Sequence, residues 1–159
     1  MAIDYHLKID TEKTPVEITE LILQLDGFEK NERENNFFAE GLVGGVWAET
    51  NDYDSQISQN LTNDDFGFRH KIVVWLTPYR EEMEDAGMQN MMKAVMTVLQ
   101  HDSGDAVVLM NGDYIILTRI DGKLTLTPEN FGEKDKWWNP KEDVPFSDYE
   151  LTELGYAGQ

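Results

Sequence analysis

The chain has 159 residues, and 31 Asp and Glu against 13 Lys and Arg give it a formal net charge of −18 at pH 7. A hydrophobic content of 40% is too high for a disordered acidic chain and suits one folded domain spanning residues 1–159. The charge argues against a nucleic-acid partner, because phosphate contacts require a basic face.

The first two segments predict a strand and a helix. In "AIDYHLKI" apolar and polar residues alternate, which is typical of a strand with one buried face. In "TPVEITELILQLDG" Thr14 and Glu17 have the spacing of a capping box, and Pro15 suits the first helical position. An apolar stripe follows, and Gly27 is a typical helix stop.

The next two segments are harder to interpret. "FFAEGLVGGVWAET" predicts one strand with a bend or bulge, because Gly41, Gly44 and Gly45 interrupt an apolar run. "NDYDSQISQNLTNDD" is polar and acidic, and it predicts the most exposed loop of the chain.

The segment "FGFRHKIVVWL" combines a basic cluster with an apolar run, and it predicts a strand. In a strand of this register His70 shares a face with Phe68 and Ile72, whereas Arg69 and Lys71 point the other way. The basic cluster is therefore interpreted as strand alternation.

Two further segments complete the regular structure. Thr77 and Pro78 predict a second capped helix, whose apolar stripe is rich in methionine. The pairs Asn111-Gly112 and Asp121-Gly122 predict two tight hairpins, and hence a three-stranded meander, because both central residues must reach positive φ. The remaining segment is aromatic and broken by prolines, which predicts an irregular tail.

The order of these elements predicts an α+β fold. A β-α-β-β-α-β order followed by a β-meander and an irregular tail suits a two-layer, ferredoxin-like sandwich. Two amphipathic helices would cover one face of a largely antiparallel sheet of five or six strands.

The chain lacks recognisable catalytic or metal-binding motifs. His70 is the leading titratable candidate, but its expected position beside apolar residues favours a hydrogen-bonded structural histidine. There is no cysteine, no G-x-S-x-G elbow and no pair of histidines with metal-ligand spacing. We therefore expect no enzyme, no metal and no cofactor.

The N-terminal segment is charged within its first residues and has no apolar stretch of signal-peptide type. No apolar run is long enough to span a membrane. These features predict a cytoplasmic protein with no membrane partner.

Several segments together resemble a known family. They are the start "MAIDYHL", the stretch "DDFGFRHKIVVWL", the methionine-rich helix, "GDAVVLMNGDYIILTRIDGKLTL", and a Trp pair before the acidic tail. In this combination the chain resembles a bacterial immunity-protein family named after the Sit swarm-inhibition toxins. The resemblance implies a small cytoplasmic protein that binds and neutralises a cognate toxin, often encoded beside it, and that is not an enzyme.

A toxin partner would explain the acidic surface, because acidic side chains speed association with a partner that has a basic face. We expect four acidic residues to contribute association rate and register, and three aromatic residues to serve as anchors. The acidic residues are Asp52, Asp54, Asp64 and Asp65, and the aromatic residues are Tyr53, Trp137 and Trp138. A purely structural interpretation places both Trp side chains in the core and leaves the acids solvated.

Two other functions remain open at this stage. One is a small-ligand-binding protein or enzyme on a ferredoxin-like scaffold, with His70 and a nearby acid as its reactive groups. The other is a nucleic-acid mimic or phage-type regulator, whose acids replace phosphates and which inhibits several unrelated DNA-binding enzymes.

Overall fold

The computed structural model describes residues 3–79, 84–127 and 143–158. They form three helices and one sheet of nine strands, with the strand order β2-β3-β4-β5-β1-β6-β7-β8-β9. The strands are β1 (Tyr5–Ile9), β2 (Glu29–Lys30), β3 (Asn36–Ala39), β4 (Leu42–Ala48), β5 (Ile72–Pro78), β6 (Ala106–Met110), β7 (Tyr114–Ile120), β8 (Lys123–Leu126) and β9 (Tyr149–Leu151). The helices are α1 (Pro15–Leu23), α2 (Tyr53–Phe66) and α3 (Glu84–Gln100).

The main core lies between one face of the sheet and the helices α1 and α3. β1 alternates as expected, with its apolar residues buried on this face and His6 and Lys8 partly exposed on the other. α1 contributes Ile18 and Ile22 to the core. The larger contribution comes from the methionine-rich stripe of α3, namely Met91, Met92, Ala94, Val95, Met96, Val98 and Leu99.

Two local predictions are confirmed in atomic detail. In α1 the backbone N–H of Glu17 donates to Thr14 Oγ1 at 3.2 Å, and that of Thr14 donates to Glu17 Oε1 at 3.0 Å, which completes the capping box. The pairs Asn111-Gly112 and Asp121-Gly122 have positive φ at both residues. They connect β6, β7 and β8 into the expected antiparallel meander.

The glycine-rich segment is a hairpin, so the prediction of one bent strand is wrong. β3 and β4 pair antiparallel on either side of Glu40-Gly41, and Gly41 has a φ of 72°. β4 then pairs with β5 in continuous register, so its glycines form no bulge. A Cβ on Gly45 would lie 2.5 Å from Nε1 of Trp75, so glycine is needed there to make room for the indole.

The expected helix start at Thr77-Pro78 is also wrong. Both residues belong to β5, where Thr77 is paired with Val43 and Pro78 with Leu42 of β4. This pairing joins segments far apart in the sequence, and it overrides the local preference of Thr-Pro for a helix start.

The sheet is larger than expected, because the glycine-rich segment supplies two strands and because β2 and β9 add one each. It is also mixed. β9 pairs parallel with β8, whereas the other paired strands are antiparallel. The described residues therefore contain nine strands and three helices, where five or six strands and two helices were expected. The α+β class is confirmed.

The additional helix, α2, occupies the polar, acidic segment whose sequence predicts an exposed loop, so that prediction is wrong. Asp52 is its N-cap, and Gly67 ends it in the left-handed conformation with a φ of 82°. Both caps are readable in the sequence. The apolar inner stripe that marks α1 and α3 is missing from α2, because its one buried residue is Thr62.

Candidate protein-binding surface

The N-terminus of α2 is built by a small hydrogen-bond network around Asp52. Its Oδ1 accepts a bond of 2.8 Å from the backbone N–H of Ser55, and its Oδ2 accepts one of 2.6 Å from Thr50 Oγ1. These bonds favour the ionised carboxylate and lower the pKa of Asp52, with the bond from Thr50 as the largest cause. Asp52 therefore carries its charge while it holds the first turn of the helix.

The C-terminal end of α2 lies on the sheet face opposite the main core. Phe66 packs there against a second apolar cluster formed by Phe68, Val107 and Leu109. Since side chains alternate along β6, Val107 and Leu109 point away from the residues of that strand in the main core. The expectation that Phe68 shares a face with Ile72 is therefore wrong, because β5 begins only at Ile72.

Arg69 attaches the length of α2 to the rest of the protein. Its guanidinium donates to Asn60 Oδ1, to Gln56 Oε1 at 3.2 Å and to Gln59 Oε1 at 3.3 Å. Gln59 in turn donates from Nε2 to the backbone carbonyl of His70 at 2.8 Å. We call Arg69 and its three side-chain partners the polar clamp. The basic cluster is thus more than strand alternation, because Arg69 precedes β5 and binds a helix.

His70 lies beneath α2 and is fully buried. Its Nε2 is 3.5 Å from Glu49 Oε2 and 3.4 Å from Ser58 Oγ. Burial lowers the pKa of His70 to about 3, and the nearby charges of Lys8 and Arg69 act in the same direction. The imidazole is therefore neutral at pH 7.

The contacts of His70 differ from those of a catalytic triad. In a triad the serine and the acid bind different ring nitrogens, so that the imidazole accepts the serine proton at one nitrogen while the acid orients the ring through the other. Here Glu49 and Ser58 both face Nε2, and Nδ1 has no hydrogen-bond partner among the described residues.

A cavity of about 500 Å³ lies away from His70, beside Leu99, Arg119 and Phe146.

The outer face of α2 presents apolar side chains to solvent. Tyr53, Ile57 and Leu61 are 79%, 41% and 56% exposed. Residues four apart lie on the same side of a helix, so these three form one continuous stripe, which we call the outer ridge. The acidic residues Asp54 and Asp64 are also exposed. No Lys or Arg occurs anywhere in α2.

The structure brings five of the seven expected binding residues together on α2 and its N-cap. Asp52, Tyr53, Asp54, Asp64 and Asp65 are all exposed, whereas Trp137 and Trp138 lie outside the described residues. Asp65 also interacts with Lys8. Burial lowers the pKa of Lys8, and the carboxylates of Glu49 and Asp65 act in the opposite direction.

Sequence reasoning missed Ile57 and Leu61 of the outer ridge. The available signal was the spacing of three apolar residues at intervals of four within an otherwise polar segment that has an N-cap and a C-terminal glycine.

Within the described ranges, no group of three His, Cys, Asp or Glu side chains is placed to hold a metal ion. In the same ranges, no helix combines the length and apolar character needed to cross a bilayer.

Comparisons with known proteins give one match. A family model described as SitI3-like matches residues 3–142, which is most of the chain. Neither a curated protein nor a solved structure matches it.

Proposed function

The chain belongs to the SitI3-like family, and from this premise we propose that it binds and neutralises a cognate bacterial protein toxin. The family match confirms the resemblance seen in the sequence. It suggests an immunity protein and not an enzyme. The observation that carries the proposal is the combination of that match with an acidic helix whose apolar outer ridge faces solvent.

The electrostatics of the chain support a partner that is basic on its bound face. A net charge of −18 attracts cations at long range, and complementary charge accelerates the encounter of two proteins. α2 itself contains no Lys or Arg, and the nearby cations are Lys8, which interacts with Asp65, and Arg69, which binds amide side chains on the flank of the helix. We therefore expect the chain to associate faster with a toxin that has a basic face than with a neutral protein, and we expect α2 to be part of the acidic surface that meets it.

We assign different roles to the acidic residues. Asp54 and Asp64 contribute association rate, because their side chains face solvent. Asp52 acts chiefly through the helix, as its N-cap. Asp65 acts both through Lys8 and at the surface. Tyr53, Trp137 and Trp138 are the proposed aromatic anchors. Tyr53 has the most exposed side chain of the outer ridge.

We also propose a cytoplasmic location and membership in a polymorphic toxin system, where the chain protects its producer in bacterial competition. The fold is consistent with a ferredoxin-like unit. The central order β4-β5-β1-β6, with α1 and α3 on one face, supports that arrangement, whereas α2 and the outer strands are additions to it.

An affinity capture from the source lysate at low and at moderate salt tests this function. We expect one stoichiometric protein, identified by mass spectrometry, that is toxic when expressed alone and harmless when expressed with this chain. Recovery of no such partner would contradict the proposal. Co-purification of a small molecule whose binding is lost in His70→Gln would instead favour the ligand-binding or enzymatic alternative.

A further inference from the structure

We propose that α2 docks lengthwise into an apolar groove of the toxin whose rim carries Lys or Arg, with Ile57 and Leu61 at the centre of the contact. This inference rests on the proposed function and goes beyond it, since it names the contact surface and the chemistry of the groove. Insertion of an amphipathic helix into a groove, with anchors spaced along one face, is a recurrent mode of protein recognition.

The outer ridge is available because folding does not use it. α2 meets the rest of the protein through Thr62, Phe66 and the polar clamp, which lie on its inner side or flank. Tyr53, Ile57 and Leu61 remain exposed although they are the most apolar outward residues of the helix. A groove that covers them would gain the free energy of apolar burial without disturbing the core.

The charges of the ridge decide which partner fits it. Asp54 and Asp64 stand beside the apolar side chains, and α2 itself contains no Lys or Arg. Arg69, on the flank of the helix, binds amide side chains there. A groove rimmed with Lys or Arg would pair with both carboxylates while its floor contacts Ile57 and Leu61. A second copy of this chain is disfavoured as the occupant, because a symmetric contact would bring two acidic helices together.

The helix is also held in place before binding, which favours affinity. Asp52 and Gly67 cap its two ends, and Arg69 binds three side chains along its flank. Ordering a mobile segment on binding would cost free energy, and a preformed helix avoids most of that cost.

The experiment uses the full chain and the purified toxic partner isolated by the capture, and it measures association and dissociation rates separately. The first variant is Ile57→Ser with Leu61→Ser, which removes the apolar centre. The second is Asp54→Asn with Asp64→Asn, which removes charge and keeps shape. The matched control is Val16→Ser, because Val16 is an apolar residue of α1 that is 46% exposed and remote from the ridge.

We expect the ridge variant to raise Kd at least about tenfold, chiefly through faster dissociation. The charge variant should slow association and weaken its salt dependence, while its dissociation rate changes little. Val16→Ser should bind like the wild-type chain. Far-UV circular dichroism checks that each variant keeps its helices.

Failure of the inference is distinguishable from failure of the proposed function. If the wild-type chain binds no toxin, the function falls and the inference falls with it. If the wild-type chain binds and the ridge variant binds equally tightly, only the docking surface is wrong. A wild-type dimer in sedimentation velocity that becomes a monomer in the ridge variant would also overturn it, because a second copy would then be the occupant.

Discussion

The helices α3 and α2 have similar lengths and opposite modes of attachment. α3 buries an apolar stripe, including the side chains of Met91, Val95 and Leu99, in the main core. α2 fully buries only Thr62, and it is fixed by its caps, by Arg69 and by the packing of Phe66 at its C-terminal end against the second apolar cluster. A helix that folding holds through a single apolar contact can turn its other apolar residues outward, where a partner can use them.

The two modes of attachment differ in strength. Burial of one large apolar side chain contributes about 1.5 to 3 kcal/mol, whereas one hydrogen bond contributes about 0.5 to 1.5 kcal/mol net. α3 should therefore open only with the whole domain, while α2 opens locally at a lower free energy.

The largest effect should come from the core side of the comparison. Leu99→Ala removes a fully buried side chain of α3, and we expect it to lower the free energy of unfolding by about 2 to 5 kcal/mol. Urea unfolding measures this loss. A change below about 1 kcal/mol would show that α3 is not held by its apolar stripe.

A pH-dependent effect, smaller than this over any single pH unit, should arise beneath α2 at His70. Its pKa is about 3 in the folded chain against an ordinary value of 6.5, so between these values the unfolded state binds a proton that the folded state does not. The free energy of unfolding should therefore fall with falling pH below 6.5, by at most about 1.4 kcal/mol per pH unit from this group. Above that pH this group has no effect.

Urea unfolding across this pH range, for the wild-type chain and for His70→Gln, isolates the contribution of the imidazole. The variant should show a shallower dependence, because it lacks the titrating group. An identical dependence in both proteins would mean that His70 is protonated without cost in the folded chain, despite its place beside Lys8 and Arg69.

The polar clamp should have a smaller and local effect. Arg69→Ala removes the bonds to Gln56, Gln59 and Asn60, and we expect α2 to open about 1 to 2 kcal/mol more easily. Hydrogen exchange should rise in α2 and stay unchanged in α3. The matched control is Lys71→Ala, which breaks exposed ion pairs with Asp10 and Glu12 and should leave α2 unaffected. Equal exchange in α2 of the two variants would refute the clamp.

The smallest effect on stability should come from the outer ridge. Leu61→Ser changes an exposed residue that has no role in packing, so we expect the free energy of unfolding to change by less than about 0.5 kcal/mol. Thermal and urea unfolding check this. A loss above about 1 kcal/mol would place Leu61 in a folding contact and weaken the contrast with α3.

Local chemistry explains which elements could be predicted. The alternation of β1, the capping box of α1 and the Asn-Gly and Asp-Gly turns are each specified by residues close in sequence. The pairing of Pro78 with Leu42 and of β9 with β8 joins distant segments, so no local pattern revealed either one. α2 was missed because its inner side lacks an apolar stripe: Thr62 is its buried residue, and Phe66 packs inward only at its end.

The candidate site was predicted by composition more than by geometry. The acidic residues and Tyr53 stood out because of their density in one segment, and the structure places them on one helix. Ile57 and Leu61 gained meaning only when the segment proved helical, since their spacing of four is meaningless in a loop.

Hydrogen exchange of the chain alone and with its captured toxin tests most directly whether α2 is the docking surface. In the free chain we expect the amides of α2 to exchange faster than those of the buried part of α3. On binding, protection should increase selectively in residues 53–66. Protection that increases elsewhere and leaves α2 unchanged would contradict the proposal that this weakly attached helix is where the toxin binds.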